Sequence, residues 1–486
     1  PAFRRLLAAE HLSGLDMSGN WLDGDDIEVL LECRELRGLE FLDLSGNRLL
    51  TEGGLAVARA KHLQNLRTLR LERANISSDD LAAIVNSPHL DGLRRLDVTS
   101  NTLLSDRGVE ALAGSRHMRH LTHLDLTGNG LGPASAKALA HSPNLPRLEH
   151  LDLADNSIRS NGMRALARSE TSSTLEYLDL QGNYIGDIGV KHLASSEHLE
   201  NLRHLELHKN GIGAEGMKAL AGSKHLGRLR YLGIGCERDG DRARQSSKWV
   251  PALAKARHFD QLEELDISRC EVGFEGAKAL ASASYLPRLE RLDISWNDIG
   301  NEGAAHIVRA AHTVEDLDLS WNQIDAEGID DIVESQSVQG IRKLRLAYND
   351  VGDRGVAELA GAAGLSDLRH LDLEDVGMTS VGLEALAESS VMSNIRELHL
   401  SNNSIGDVGA EMIVRASFVR HLRVLDVQKA DIGNEGAKAF ANSANLDRLH
   451  VLRLDDNQIG VPGARALAGS PHLGSIRQLW LWNNPI

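Results

Sequence analysis

Carboxylates recur along this chain of 486 residues at a fixed step: Asp125, Asp152, Asp179 and Glu206 stand 27 residues apart. A ring lies two residues before each of them (His123, His150, Tyr177, His204), and His208 lies two residues after Glu206. Histidine beside carboxylate is the chemistry of a zinc site, or of docking that responds to pH near neutrality. His123 and His150 could share an ion, but no further residue closes a ligand set. The expectation is therefore that the histidines neutralise the acids, that no metal or other cofactor is bound, and that the acid row attracts a basic protein. A second constellation is aromatic. Trp296, Trp321 and Tyr348 repeat at nearly the same step, Lys343 and Arg345 lie just before Tyr348, and Trp249 ends a polar stretch. Aromatic and arginine side chains dominate binding hot spots, so these residues are read as a partner-binding patch of mixed charge. Nucleotide-loop, zinc-protease, nucleophile-elbow, paired-cysteine and calcium-loop motifs are all missing from the sequence. An enzyme needs different groups converging at one place, whereas these residues repeat, so catalysis is not expected.

The step comes from the elements that carry these residues. Leu148 to Ile158 reads L-x-x-L-x-L-x-x-N-x-[IL], and the pattern returns at Leu175 to Ile185 and at Leu202 to Ile212. Its ninth position falls on eighteen sites between Asn20 and Asn484, and thirteen of them are Asn. A buried Asn offers two donors and an acceptor to turning backbone that has no ladder partner. The exceptions are Ala74, Glu237, Cys270, Val376 and Ala430. In Leu151-Asp152-Leu153 the apolar residues alternate, as in a strand buried on one face. In Gly162 to Ala167 they follow a helical spacing. A glycine six residues after the ninth position lets each helix approach its neighbour closely. Histidines of the Ser-x-His-Leu segments, such as His117, His198 and His225, keep step with the scaffold and are read as structural.

A long repeat with Asn, Gly and an Ala-rich helix resembles the ribonuclease-inhibitor-like subgroup of leucine-rich repeats. Ile185-Gly186-Asp187-Ile188-Gly189 is similar to bacterial arrays of the form LDLSGNxIGDxGAxALA. The resemblance spans the whole chain and implies an α/β leucine-rich-repeat solenoid of about 18 repeats, with a parallel sheet on the concave face and helices on the convex face. Strands about 4.8 Å apart against helices about 8–10 Å apart would turn the stack by roughly 20° per repeat, giving a horseshoe. The third, fifth, seventh and eighth positions then face inward or line a rim. The fifth is acidic in twelve repeats, which makes an acidic inner wall.

Composition agrees with a soluble repeat protein of residues 1–486 forming one domain, interrupted by an irregular polar insertion at 237–261. Lys+Arg 53 against Asp+Glu 69 gives −16, which disfavours nucleic acid and anionic membrane as partners. No apolar run is long enough to span a membrane. Cys33, Cys236 and Cys270 cannot form a disulfide framework, so a reducing, cytoplasmic setting is expected, with Cys270 a buried free thiol. Plentiful Arg, Ala, Gly and Asp suggest a bacterial source. Both ends read as cut or uncapped, and open solenoid ends are candidates for self-association. The function these features imply is non-catalytic protein recognition, as a scaffold. The alternatives are a sensing array of a larger signalling protein, as in NOD-like receptors, or a regulator of a small GTPase.

Overall fold

Each repeat adopts both periodicities written in it. Leucines at the fourth and sixth positions, such as Leu151 and Leu153, are buried beneath a three-residue strand, and Met163, Leu166 and Ala167 bury the inner face of helix Arg159–Ala167. The computed structural model describes residues 12–235, 246–335 and 337–486. The described residues form eighteen short strands and seventeen α-helices, each helix following its strand. None of these helices is long and apolar enough to cross a membrane.

Contacts divide the chain into two compact units, 1–237 with 256–262, and 238–255 with 263–486. Unit 1 contains β1 (Gly14–Asp16), β2 (Phe41–Asp43), β3 (Thr68–Arg70), β4 (Arg95–Asp97), β5 (His123–Asp125), β6 (His150–Asp152), β7 (Tyr177–Asp179), β8 (His204–Glu206) and β9 (Tyr231–Gly233). Unit 2 contains β10 (Glu264–Asp266), β11 (Arg291–Asp293), β12 (Asp316–Asp318), β13 (Lys343–Arg345), β14 (His370–Asp372), β15 (Glu397–His399), β16 (Val424–Asp426), β17 (Val451–Arg453) and β18 (Gln478–Trp480). Within each unit, successive strands pair in parallel, equivalent position against equivalent position, as Leu151 against Leu178 and Leu371 against Leu398. A residue type repeated in the sequence thus becomes a column in space.

Three hydrogen-bond ladders hold the stack. Asn183 donates to the carbonyls of Leu153, Leu180 and Gln181 at 2.7, 3.1 and 3.0 Å, and its oxygen accepts from Ile158 N at 3.1 Å. A second ladder follows each helix: Ser196 Oγ donates to Ala167 O of the preceding repeat at 2.6 Å and accepts from His198 N at 3.2 Å. This gives the Ser-x-His-Leu segments a structural role. The third ladder caps helices from the repeat before. Asp187 Oδ1 accepts from Gly213 N at 2.7 Å and Gly216 N at 2.9 Å.

That cap explains the recurrent glycine. A Cβ on Gly216 would lie 2.7 Å from Asp187 Oδ1 and 2.9 Å from Ile212 Cγ2. Gly216→Ala is expected to lower stability by about 1–3 kcal/mol through overpacking and a displaced cap. A thermal melt identical to wild type would show that Asp187 moves aside freely.

Two sequence expectations change here. Trp249 is not a surface residue: it is 2 % exposed on helix Ser246–Ala254, beside the buried Val250 and Leu253. The apolar spacing of a core helix outweighs the polarity of the stretch before it. Residues 237–245 of the expected insertion lie outside the described residues. Cys270 is buried but disulfide-bonded rather than a free thiol, whereas Cys33 is free and buried. Cys236 also lies outside the described residues.

Candidate recognition surfaces

Unit 1 places its rings and acids in two parallel columns. Third-position rings on β5 to β9 stack face to face in one file, His123, His150, Tyr177, His204 and Tyr231, with successive centroids 5.2, 3.7, 4.2 and 4.0 Å apart. Neither His123 nor His150 belongs to a group of three or more possible ligands among the described residues. Nor do these histidines neutralise the acids, which corrects that expectation. Burial pushes His150 and His204 down to about 4, so both are uncharged at neutral pH. His208 does fulfil the role. Burial pushes Glu206 up, but hydrogen bonds and charge from His208, with a 2.8 Å bond from Tyr231 Oη, hold it below the ordinary carboxylate range.

The fifth-position acids beside this file carry the electrostatic burden. Asp125, Asp152 and Asp179 are register neighbours on β5, β6 and β7, and Glu206 continues the row on β8. Burial first, and then the Asp152 carboxylate, push Asp179 up to about 8. Burial and Asp125 raise Asp152 as well. At the other end of the unit, Arg70 bridges Asp43 at 3.2 Å and Asp97 at 3.3 Å. Charge is thus matched at Asp43 and Asp97, and at Glu206. Between them lies a strip whose carboxylates repel one another.

Unit 2 carries the aromatic column. Trp296, Trp321 and Tyr348 stack with centroids 3.7 and 4.1 Å apart, and the Arg269 guanidinium lies over Trp296 at 4.6 Å. Tyr348 Oη donates to Glu374 Oε1 at 2.7 Å, and Asn402 Nδ2 donates to the same oxygen at 2.7 Å. Every described eighth-position residue has a left-handed backbone, and most are Gly, Asn, Asp or a cation, as at Gly128, Asp155 and Lys209. Bulky residues avoid that conformation, with strain of order 1 kcal/mol or more each. Trp296, Trp321 and Tyr348 nevertheless hold it, at φ 60°, 58° and 57°. Their rings are half-buried and line a cavity of about 240 Å³ together with Asp298 and Gln323.

Arg345 and Lys343 do not add spare positive charge to this patch, which corrects the mixed-charge expectation. Arg345 reaches Asp316 at 2.6 Å and Asp318 at 4.0 Å, and Lys343 reaches Asp316 at 3.3 Å. Burial pushes Asp316 up, but these two cations hold it below the ordinary range. A further cluster, not evident from the order of residues along the chain, consists of His370, Glu397 and His399. Among the described residues they alone form a group of three or more possible ligands whose donor atoms converge, within 4.8 Å of one another. One feature of the repeat marks it: His399 is the one histidine in the fifth column.

Parallel strands in register, a helix behind each and an asparagine ladder at the turn define a leucine-rich-repeat solenoid. The chain belongs to the Leucine Rich repeat family, whose model matches residues 93–113, 117–140, 145–167, 171–194, 198–221, 262–281, 286–308, 310–333, 341–360, 391–414, 420–441 and 449–468. No curated protein matches. Among solved structures, the chain is similar to an internalin (inlF) from Listeria monocytogenes, at 19% identity and TM-score 0.42, with 84% of this chain and 94% of that one covered. It is also similar to TLR13 in a complex with ssRNA13, at 20% identity and TM-score 0.49, with 93% of this chain and 71% of that one covered.

Proposed function

We propose that this chain is a non-catalytic protein-recognition module of the ribonuclease-inhibitor-like kind, anchored through the aromatic column of unit 2. The observation that carries the reading is the strained placement of Trp296, Trp321 and Tyr348. Three bulky rings sit where the other described repeats use Gly, Asn, Asp, Ser, Lys or Arg, and they remain only half-buried. A folding role rewards deeper burial; a hot spot rewards large, stiff, partly exposed rings. The acidic strip of unit 1 suits a partner that presents Lys or Arg, since a cation there relieves the repulsion around Asp179.

Affinity capture from native lysate with the wild-type chain supplies the partner, and the purified partner is then titrated against Trp296→Gly/Trp321→Gly/Tyr348→Gly. Glycine suits the left-handed backbone at all three positions. The expected result is an affinity loss of about 100-fold or more, with no fall in melting temperature. Unchanged affinity, or a melting temperature lowered by several degrees, makes the column structural. Association should also slow steeply as salt rises if the acidic strip steers the partner, and a flat salt response removes the strip from the reading.

A further inference from the structure

His370, Glu397 and His399 are brought together by the register of unit 2. His370 on β14 lies directly opposite Glu397 on β15, and His399 follows Glu397 by two residues on the same strand, hence on the same face. Their potential donor atoms lie within 4.8 Å of one another. His370 Nδ1 and Glu397 Oε2 are 2.9 Å apart, while His370 Nε2 is buried and has no hydrogen-bond partner. The opposite strand supplies a further carboxylate: Asp426, the register partner of His399, places Oδ2 3.7 Å from His399 Nδ1. Asp372, the other register neighbour of His399, adds a second negative charge beside it. Twelve of the eighteen repeats place an acid at the fifth position. Here the acid is replaced by imidazole, and the acids stand on either side.

We propose that His370, Glu397 and His399 bind one first-row divalent cation of the zinc type, with Asp426 as the outer carboxylate that orients His399. Two imidazoles and one carboxylate are the ligand set that zinc and cobalt(II) take, whereas magnesium and calcium prefer oxygen alone. Ligand atoms bonded at about 2.0–2.1 Å to a tetrahedral ion are closer together than this triangle requires. The Glu397 carboxylate, whose side chain is 48 % exposed, is the member free to swing inward. Coordination exchanges the His370–Glu397 hydrogen bond for two metal bonds. An outer carboxylate behind a metal-bound histidine fixes the ring and raises its basicity. Three protein ligands leave a fourth position for water or for a donor from a bound partner. His370 and Glu397 also line a groove of about 450 Å³ whose wall mixes arginines such as Arg369 and Arg396 with acids such as Glu290 and Glu315.

The full chain, stripped with a chelator, is titrated with Zn²⁺ by calorimetry and with Co²⁺ by visible absorption. One equivalent is expected to bind with a dissociation constant in the micromolar range or tighter, and Co²⁺ should give the intense visible bands of a four-coordinate site. Glu397→Gln, at an exposed side chain that leaves folding intact, should weaken binding at least tenfold, and His370→Ala/His399→Ala should abolish that equivalent. Asp426→Asn keeps its acceptor for Gln428 N. It should weaken binding about 10–100-fold and alter the cobalt bands, a change that a merely structural residue would not produce. Zn²⁺ should raise the melting temperature of wild type but not of the double variant. The proposal is overturned by the absence of a saturable one-equivalent site, or by its survival in Glu397→Gln and in the folded double variant. Other histidines of the chain would then be the source of any zinc bound.

Discussion

Replacing Asn183 by alanine is expected to destabilise unit 1 by about 1–3 kcal/mol, read as a fall in the denaturant midpoint by far-ultraviolet circular dichroism. The side chain serves four backbone groups at once: the carbonyls of Leu153, Leu180 and Gln181, and the amide of Ile158. The carbonyls of Leu153 and Leu180 also accept from Asn156 Nδ2 at 2.9 Å and Asn210 Nδ2 at 2.7 Å, and Gln181 O accepts from Asp155 N at 2.7 Å, so the amide of Ile158 is the group left unmet, at a cost of about 1–3 kcal/mol. The chain itself supplies the comparison. At Ala74 the ladder lacks its asparagine, and there the backbone closes the gap: Leu49 N donates to Ala74 O at 3.1 Å, and Leu71 O accepts from Ala74 N at 3.3 Å and from Asn101 Nδ2 at 2.8 Å. If Asn183→Ala costs less than about 1 kcal/mol, the backbone near 183 repairs itself in the same way and the ladder is redundant.

Asp179→Asn should act in the opposite direction, and its effect should depend on pH. The folded chain holds the Asp179 proton up to about pH 8, whereas an unfolded chain releases it near pH 4. Between those values the native state binds more protons than the unfolded state, so the wild-type contribution falls with each unit of rising pH. Most of the loss is present at pH 8 and none of it below about pH 4. Asparagine carries no charge and keeps the acceptor for Gln181 N, a bond of 2.8 Å in wild type. The variant should therefore exceed wild type by a few kcal/mol at pH 8, with the melting curves converging in acid. Parallel curves across that range would mean that solvent already screens the acid strip.

Much of this arrangement was legible in the sequence, because a fixed period turns spacing into position. The strands, the helices behind them and the asparagine ladder follow from that period. The glycine over Asp187 and the acid column follow from it too. What stayed hidden were relations between columns. Lys343 and Arg345 look like spare cations until the step of one repeat is applied sideways, which sets them against Asp316 and Asp318. His370, Glu397 and His399 become a cluster by the same operation. The ring file of unit 1 was misread for a different reason: its histidines stand next to acids in the sequence, yet they spend their faces on one another and lose their charge through burial. Trp249 was misplaced because a polar run was given more weight than the Trp249, Val250 and Leu253 spacing of a helix face. The eighth position is mostly Gly, Asn, Asp or a cation, with no other ring among the described repeats, and that is what makes Trp296, Trp321 and Tyr348 conspicuous.

The asparagine, serine and capping ladders also have a direction. Asn183 completes the turn at Ile158, Ser196 completes the end of the helix at Ala167, and the asparagine and serine bonds run from a later repeat to an earlier one. The turn and the helix end of each repeat are finished by its successor, whereas its helix start is capped by its predecessor. A chain leaving the ribosome therefore cannot lock a repeat as that repeat emerges. It must wait for roughly one further repeat of synthesis, so native order should trail translation by a constant lag, with a single incompletely bonded repeat at the growing front.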